Sequence, residues 1–279
     1  MTTRTWSGAG DGVTFTSGSN WSGGTPADND TLIVNSASAA IAGAATGLTG
    51  ITLKIGSGFT GTIGSSTTHL DLDGPECVFA SGGLAAYLSG TWTNFRITGG
   101  TTSPTFLDLK GSADTTITNL FSSRLSGTAT VNSSAVLTNV FATGLRSGLL
   151  DIKSGVSGLA TVTVGNATVL LASSVSSTVE VFDGELTTSG TAAIASLEID
   201  GDGLVRHQSS GTITLLDIFD GKFDASDNES TSFTITNANV HVGGLLGLDT
   251  ALNNAILSNP VSMLGGQIRV PVGSTVLIA

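Results

Sequence analysis

The residues whose spacing invites chemistry are carboxylates. Glu198 and Asp217 recur at an interval of about twenty residues, and Asp183 and Asp200 at one slightly shorter. If one coil of backbone separates each pair, both carboxyls project from adjacent strands over one groove. Two carboxyls about 5 to 9 Å apart can share acid, base or nucleophile duty on a glycosidic bond. Against that stands the ordinary role of acids on an outer face, which is solvated charge. A second group, Asp220, Asp224, Asp227 and Glu229 with Asn228 among them, crowds oxygen ligands of the kind Ca²⁺ takes. Its spacing is neither an EF-hand nor a nonapeptide calcium repeat, and a solvated acidic turn is the simpler reading. His69, His207 and His241 are scattered, with no Cys or acid pair at zinc spacing. Serines abound without a Gly-x-Ser-x-Gly elbow to anchor a hydrolase triad. No residue is therefore assigned a catalytic, cofactor-binding or metal-binding role. The chain is expected to be no enzyme and to carry no cofactor.

The elements that would position these residues are written as a repeat. Val179-Glu180-Val181-Phe182-Asp183-Gly184, Leu197 to Gly203, Leu216 to Gly221 and Val240 to Gly244 each bring two apolar residues, two apart, into a glycine turn, with an apolar residue just beyond it. These glycines recur about every twenty residues, and Gly165 precedes Gly184 at the same interval. Apolar residues at i and i+2 share one face of a strand, and glycine permits the tight bend that follows. A unit of about twenty residues cannot bury its inner face alone, but stacked units can. The expectation is an all-β parallel β-helix of about a dozen coils over residues 36–279, behind an N-terminal capping or attachment segment over 1–35. Asp-Gly is also a hairpin signal, at Asp183-Gly184, Asp200-Gly201, Asp202-Gly203 and Asp220-Gly221, so an antiparallel meander competes. Coils of fixed circumference demand a spacing near twenty, and hairpins do not.

Composition agrees with β-structure: 38 glycines in 279 residues, 11% charged residues, a mean hydropathy of +0.32 and no long amphipathic helical pattern. The net charge is −11. Residues 1–150 hold 8 acids and 6 bases, and residues 151–279 hold 13 acids and 4 bases. Such a balance opposes binding to nucleic-acid phosphate or to an anionic membrane. Cys77 is alone, so no internal disulfide supports the fold and a buried, inert thiol is expected. The start, from Met1 to Trp6, lacks a signal-peptide core, and the chain is expected not to be exported.

Along the chain, Trp6 and Trp21 stand near the N-terminus of a protein poor in aromatics, where large rings can cover the first coil or serve as a platform for sugar or protein. Thr-Asn recurs at Asn94, Asn119, Asn139 and Asn237, and stacked asparagines can bond along a solenoid. The apolar end, from Gln267 to Ala279, needs a fold-back or another subunit to cover it.

Trp6-x-Gly8 with Asn20-Trp21, Pro26 and Asp30, together with the cadence from Gly211 to Gly221, resembles β-solenoid structural proteins of tailed bacteriophages, some of which decorate the capsid. A looser likeness is to autotransporter passenger β-helices. The resemblance implies a non-enzymatic virion protein assembled in the host cytoplasm, a capsid decoration or cement protein. Its partners would be the major capsid protein, other virion proteins and sister copies, with a homotrimer as one arrangement. It transfers no catalytic residue. Pectin-cleaving solenoids carry an Asp-Asp pair, a Gly-His-Gly turn and an Arg-x-Lys element, none of which occurs here. The alternatives are a tailspike-like protein that binds or cleaves glycans, and an adhesin using Trp6, Trp21 or Trp92.

Overall fold

The computed structural model describes residues 1–35, 40–80, 85–99, 106–109, 115–123, 127–144, 148–228, 232–248, 255–270 and 278. Strands supply nearly all the regular structure, with one 3-10 turn at Gly18–Asn20. Every strand pairing whose register is described is parallel. The fold is an all-β parallel β-solenoid of about 10 turns. That is fewer than the dozen read from the repeat, and coil length varies: the coil that brings Val162 against Val179 is short, and the one that brings Phe95 against Leu120 is long. The Asp-Gly pairs do not make hairpins. Asp183 (φ 52°), Gly201 (φ 55°) and Gly221 (φ 76°) take left-handed conformations at bends between consecutive parallel strands.

Two compact units divide the chain. The first comprises Met1–Leu137 and Gly144–Asp151. Within it, Leu32, Leu53, Cys77, Phe95 and Leu120 follow one another in register and are wholly buried. A second inward column runs through Ile41, Ile63, Ala86, Leu107 and Ala129 on the other β-face. Burial pushes the Cys77 thiol up, so it stays a thiol and packs as a small apolar group.

The strand Thr3–Thr5 pairs with Thr31, Leu32 and Ile33, which ties the first residues into this ladder. Trp6, Phe15 and Trp21 form one buried cluster, with Trp6 to Trp21 centroids 5.2 Å apart and edge-on. Asn20 is its polar hub, accepting from the Gly10 and Gly12 N–H groups at 3.0 Å each and donating to the Asp11 carboxylate at 2.6 Å. Asp30 accepts from Arg4 Nε at 2.5 Å, the Thr2 N–H at 2.9 Å and the Ala27 N–H at 3.1 Å. Burial pushes this carboxyl up, but the three donors outweigh it and hold Asp30 below the usual carboxylate range. Trp6, Trp21 and Trp92 are only 1%, 4% and 1% exposed, so none offers a ring to sugar.

The second unit comprises Thr138–Thr143 and Ile152–Ala279. Its inward columns are Val162, Val179, Leu197, Leu216 and Ala238 on one face, and Val169, Leu186, Val205, Phe223 and Leu246 on the other. Burying each Val, Leu or Phe contributes about 1.5 to 3 kcal/mol against chain entropy. Gly184, Gly203, Gly221 and Gly244 stack at the bend between the faces, each carbonyl accepting the N–H one residue past the next coil's glycine, at 2.8 to 3.0 Å. Close approach explains the residue type, since a Cβ on Gly221 would meet the Gly203 oxygen at 2.4 Å. Gly165 breaks the pattern read from spacing. It pairs with Phe182, and Ala167 takes its place beneath Gly184, the Ala167 carbonyl accepting the Glu185 N–H at 2.7 Å. Near the end, Gln267–Arg269 pairs in parallel with Leu245–Gly247, and Ile278 forms a single bridge to Val261. Of the apolar end read from the sequence, residues 271–277 and 279 lie outside the described residues.

Candidate functional site

Alternation along the second unit's strands sends every other residue outward. Glu180, Glu198, Asp217 and Asn239 occupy one register position on four successive strands, about 4.8 Å apart. Two residues on, Gly165, Phe182 and Asp200 share the next outward column. Phe219 extends it, its N–H bonded to the Ile199 carbonyl at 2.9 Å. The Glu198 and Asp217 pairing expected from the sequence is therefore real, and Glu180 joins it. Glu180 was legible too, because Val179-Glu180-Val181 copies Leu197-Glu198-Ile199.

The Asp183 and Asp200 pairing fails. Asp200 stands beside Phe182, while Asp183 turns along the bend and accepts the Asp202 N–H at 3.0 Å. The reason is register: Val181 pairs with Ile199, so Asp200 meets Phe182 and Asp183 falls one position past it.

Phe182, Phe219, Glu180, Glu198 and Asp200 line a cleft of about 230 Å³. The rings are 41% and 42% exposed, large values for phenylalanine. Each is held: Phe182 lies over Gly165, where a Cβ would come within 2.4 Å of the ring, and Phe219 stacks on His241 at 4.5 Å. Glu198 is half-buried between two like charges. Burial first, then Glu180 and Asp217, push its carboxyl above the usual range. Asp217 is relieved by Asn239, which donates to it at 2.6 Å. Among the described residues no ion pair reaches Glu180, Glu198 or Asp200.

The other acids are placed differently. Asp224 pairs with Lys222 Nζ at 2.5 Å and accepts the Ser226 N–H, Asp227 lies 3.8 Å from Arg206, and Asp220 accepts the Gly221 N–H at 2.8 Å. Asn228 is turned inward, donating to the Ser209 carbonyl. Glu229 lies outside the described residues. These groups serve turns and ion pairs and do not converge on one point.

His207 is wholly buried, its Nδ1 2.9 Å from Thr188 Oγ1 and its ring near Phe223 and Phe233. His69 lies 3.4 Å from Asp108, a partner far along the chain that local spacing could not announce. Of the asparagines, Asn119 donates to Asn94 at 3.1 Å, Asn259 donates to Asn237 at 2.8 Å, and Asn139 accepts from Thr161 at 2.9 Å.

A larger open groove of about 550 Å³ runs past Ser157, Ser173, Ser174, Ser176 and Thr212. Three of its hydroxyls serve the backbone: Ser173 and Ser176 donate to the Lys153 and Leu159 carbonyls, and Ser174 accepts the Ala193 N–H. The smaller cleft, with its unpaired charge and exposed rings, is the candidate site. No family model, curated protein or solved structure matches the chain.

Proposed function

We propose that this chain is a non-enzymatic contact protein, and specifically a virion structural protein that coats the capsid of a tailed bacteriophage as a homo-oligomer. The supporting observation is the outward row on the second unit, where Phe182, Phe219 and Leu264 are 41% to 51% exposed beside a column that carries the carboxylates Glu180, Glu198 and Asp217. Large apolar side chains held on a ladder mark a surface meant for burial against a partner. The phage setting rests on the resemblance in cadence, as does the capsid protein as partner. In the first unit, the cluster of Trp6, Phe15 and Trp21 serves as the cap that keeps the first coil from pairing with another chain.

The test is cosedimentation of the purified chain with particles assembled without it, alongside sedimentation analysis of the chain alone. Saturable binding by a homo-oligomer is expected. A monomer that leaves the particles bare refutes the reading.

A second reading is favoured by one observation. Glu198 has a raised carboxyl and Asp217 on the adjacent strand, a spacing that suits a retaining glycosidase. Cleavage of host glycans by the wild type, lost in both Glu198→Gln and Asp217→Asn, would establish it. Silence across capsule and lipopolysaccharide panels removes it.

A further inference from the structure

We propose that the cleft between Phe182 and Phe219 is the docking point for an arginine side chain of a partner protein. This rests on the contact reading above and is independent of the phage setting.

The first unit contains the arrangement in finished form. There two neighbouring outward columns, two residues apart along the strands, carry Glu76, Asn94 and Asn119 in one and Val78, Arg96 and Phe121 in the other. Arg96 Nε donates to Glu76 at 3.0 Å, and its guanidinium lies 4.3 Å from the centre of the Phe121 ring. Carboxylate, guanidinium and phenyl ring form one sandwich on the outside of the sheet. In the second unit two columns at the same two-residue spacing carry Glu180, Glu198 and Asp217 beside Phe182, Asp200 and Phe219. Acids and rings are present, and the guanidinium is not.

Elsewhere the chain provides its own cations for several acids. Asp30 has Arg4, Glu185 has Arg206 at 2.7 Å, and Asp224 has Lys222. At the cleft, the acids are left against one another, and the crowding around half-buried Glu198 is relieved by any cation that enters. Arginine fits better than lysine because its planar fork meets a carboxylate with two N–H groups while its face stacks on a ring. A bare divalent cation fits poorly, since phenyl rings occupy positions where oxygen ligands are needed. Nucleic acid and anionic lipid are repelled by the same carboxylates.

The experiment is an NMR titration of the full chain with acetyl-Gly-Arg-Arg-Gly-amide, with its citrulline counterpart, and with a neutral oligosaccharide. Saturable shifts of the Phe182 and Phe219 rings are expected with the arginine peptide, at least tenfold weaker with the citrulline peptide. The Glu180→Gln/Glu198→Gln double variant should weaken binding at least tenfold, as should Phe182→Ser/Phe219→Ser. Asp227→Asn, an acid away from the cleft, should not. Circular dichroism melts establish that each variant is folded. Equal response to citrulline, or binding untouched by the double variants, overturns the proposal, as does saturable binding of the sugar alone. Particle binding that persists while the peptide fails to bind refutes the arginine site and spares the contact reading; peptide binding without particle binding keeps the arginine site and refutes the capsid setting.

Discussion

His207 shows how a single residue can set the pH range of a ladder. Its imidazole sits in the core with Nε2 buried and without a hydrogen-bond partner, against Phe223 and Phe233. On the strands paired with its own, the carboxylates of Glu185 and Asp224 are held by Arg206 and Lys222. Burial lowers the His207 pKa to about 4, against about 6.5 in the unfolded chain. The folded form is therefore neutral where the unfolded form is already charged. Its contribution is complete above pH 6.5 and is lost progressively as pH falls toward 4, by about 3 kcal/mol in all. Urea melts at pH 7, 5.5 and 4.5 should show this slope, and His207→Phe should flatten it, leaving about 1 kcal/mol of cost at pH 7 from the Thr188 hydroxyl that loses its partner. An unchanged slope in that variant would assign the acid sensitivity elsewhere. Histidine in a row of polar residues carries no sign of burial. Only alternation hinted at it, because His207 shares a face with buried Val205 and Ser209.

At the scale of the element, the glycine bend decides whether coils stack. Gly221 combines a left-handed φ of 76° with a backbone oxygen 2.4 Å from where a Cβ would sit, whereas Gly190 has a φ of 64° and open space around it. Gly190→Ala should cost about 1 kcal/mol, the conformational penalty alone. Gly221→Ala should cost about 3 kcal/mol or more, because the stacked bend must also move apart. Chemical denaturation of the two variants measures the difference, and equal costs would mean that the close approach is unimportant. The glycine spacing made this element visible in advance from Gly184 onward. It misplaced Gly165, because a local count cannot see that Ala167 occupies the next bend and that Gly165 makes room for Phe182.

For the whole molecule, the relevant quantities are charge and exposed apolar surface. A chain with net charge −11, and with 13 of its 21 acids in residues 151–279, will hold a cationic partner less firmly as salt rises. Partner binding should weaken at least tenfold between about 50 mM and about 500 mM salt, by cosedimentation. Self-association through the apolar row should persist over that range, by sedimentation equilibrium. Salt-insensitive partner binding would shift the weight from Glu180 and Glu198 to the rings.

The all-β class, the recurring coil and the outward position of the acids were determined by the sequence alone. They follow from period-two alternation and from glycine at the bends, which are properties of neighbours along the chain. Parallel direction and cross-coil register were settled only by the tertiary structure. An Asp-Gly bend can turn a strand back or lead it onward, and a single residue more or less in a coil decides which side chains meet. That is why Glu180, Glu198 and Asp217 align while Asp183 and Asp200 do not, and why His69 finds Asp108 two coils further along the chain.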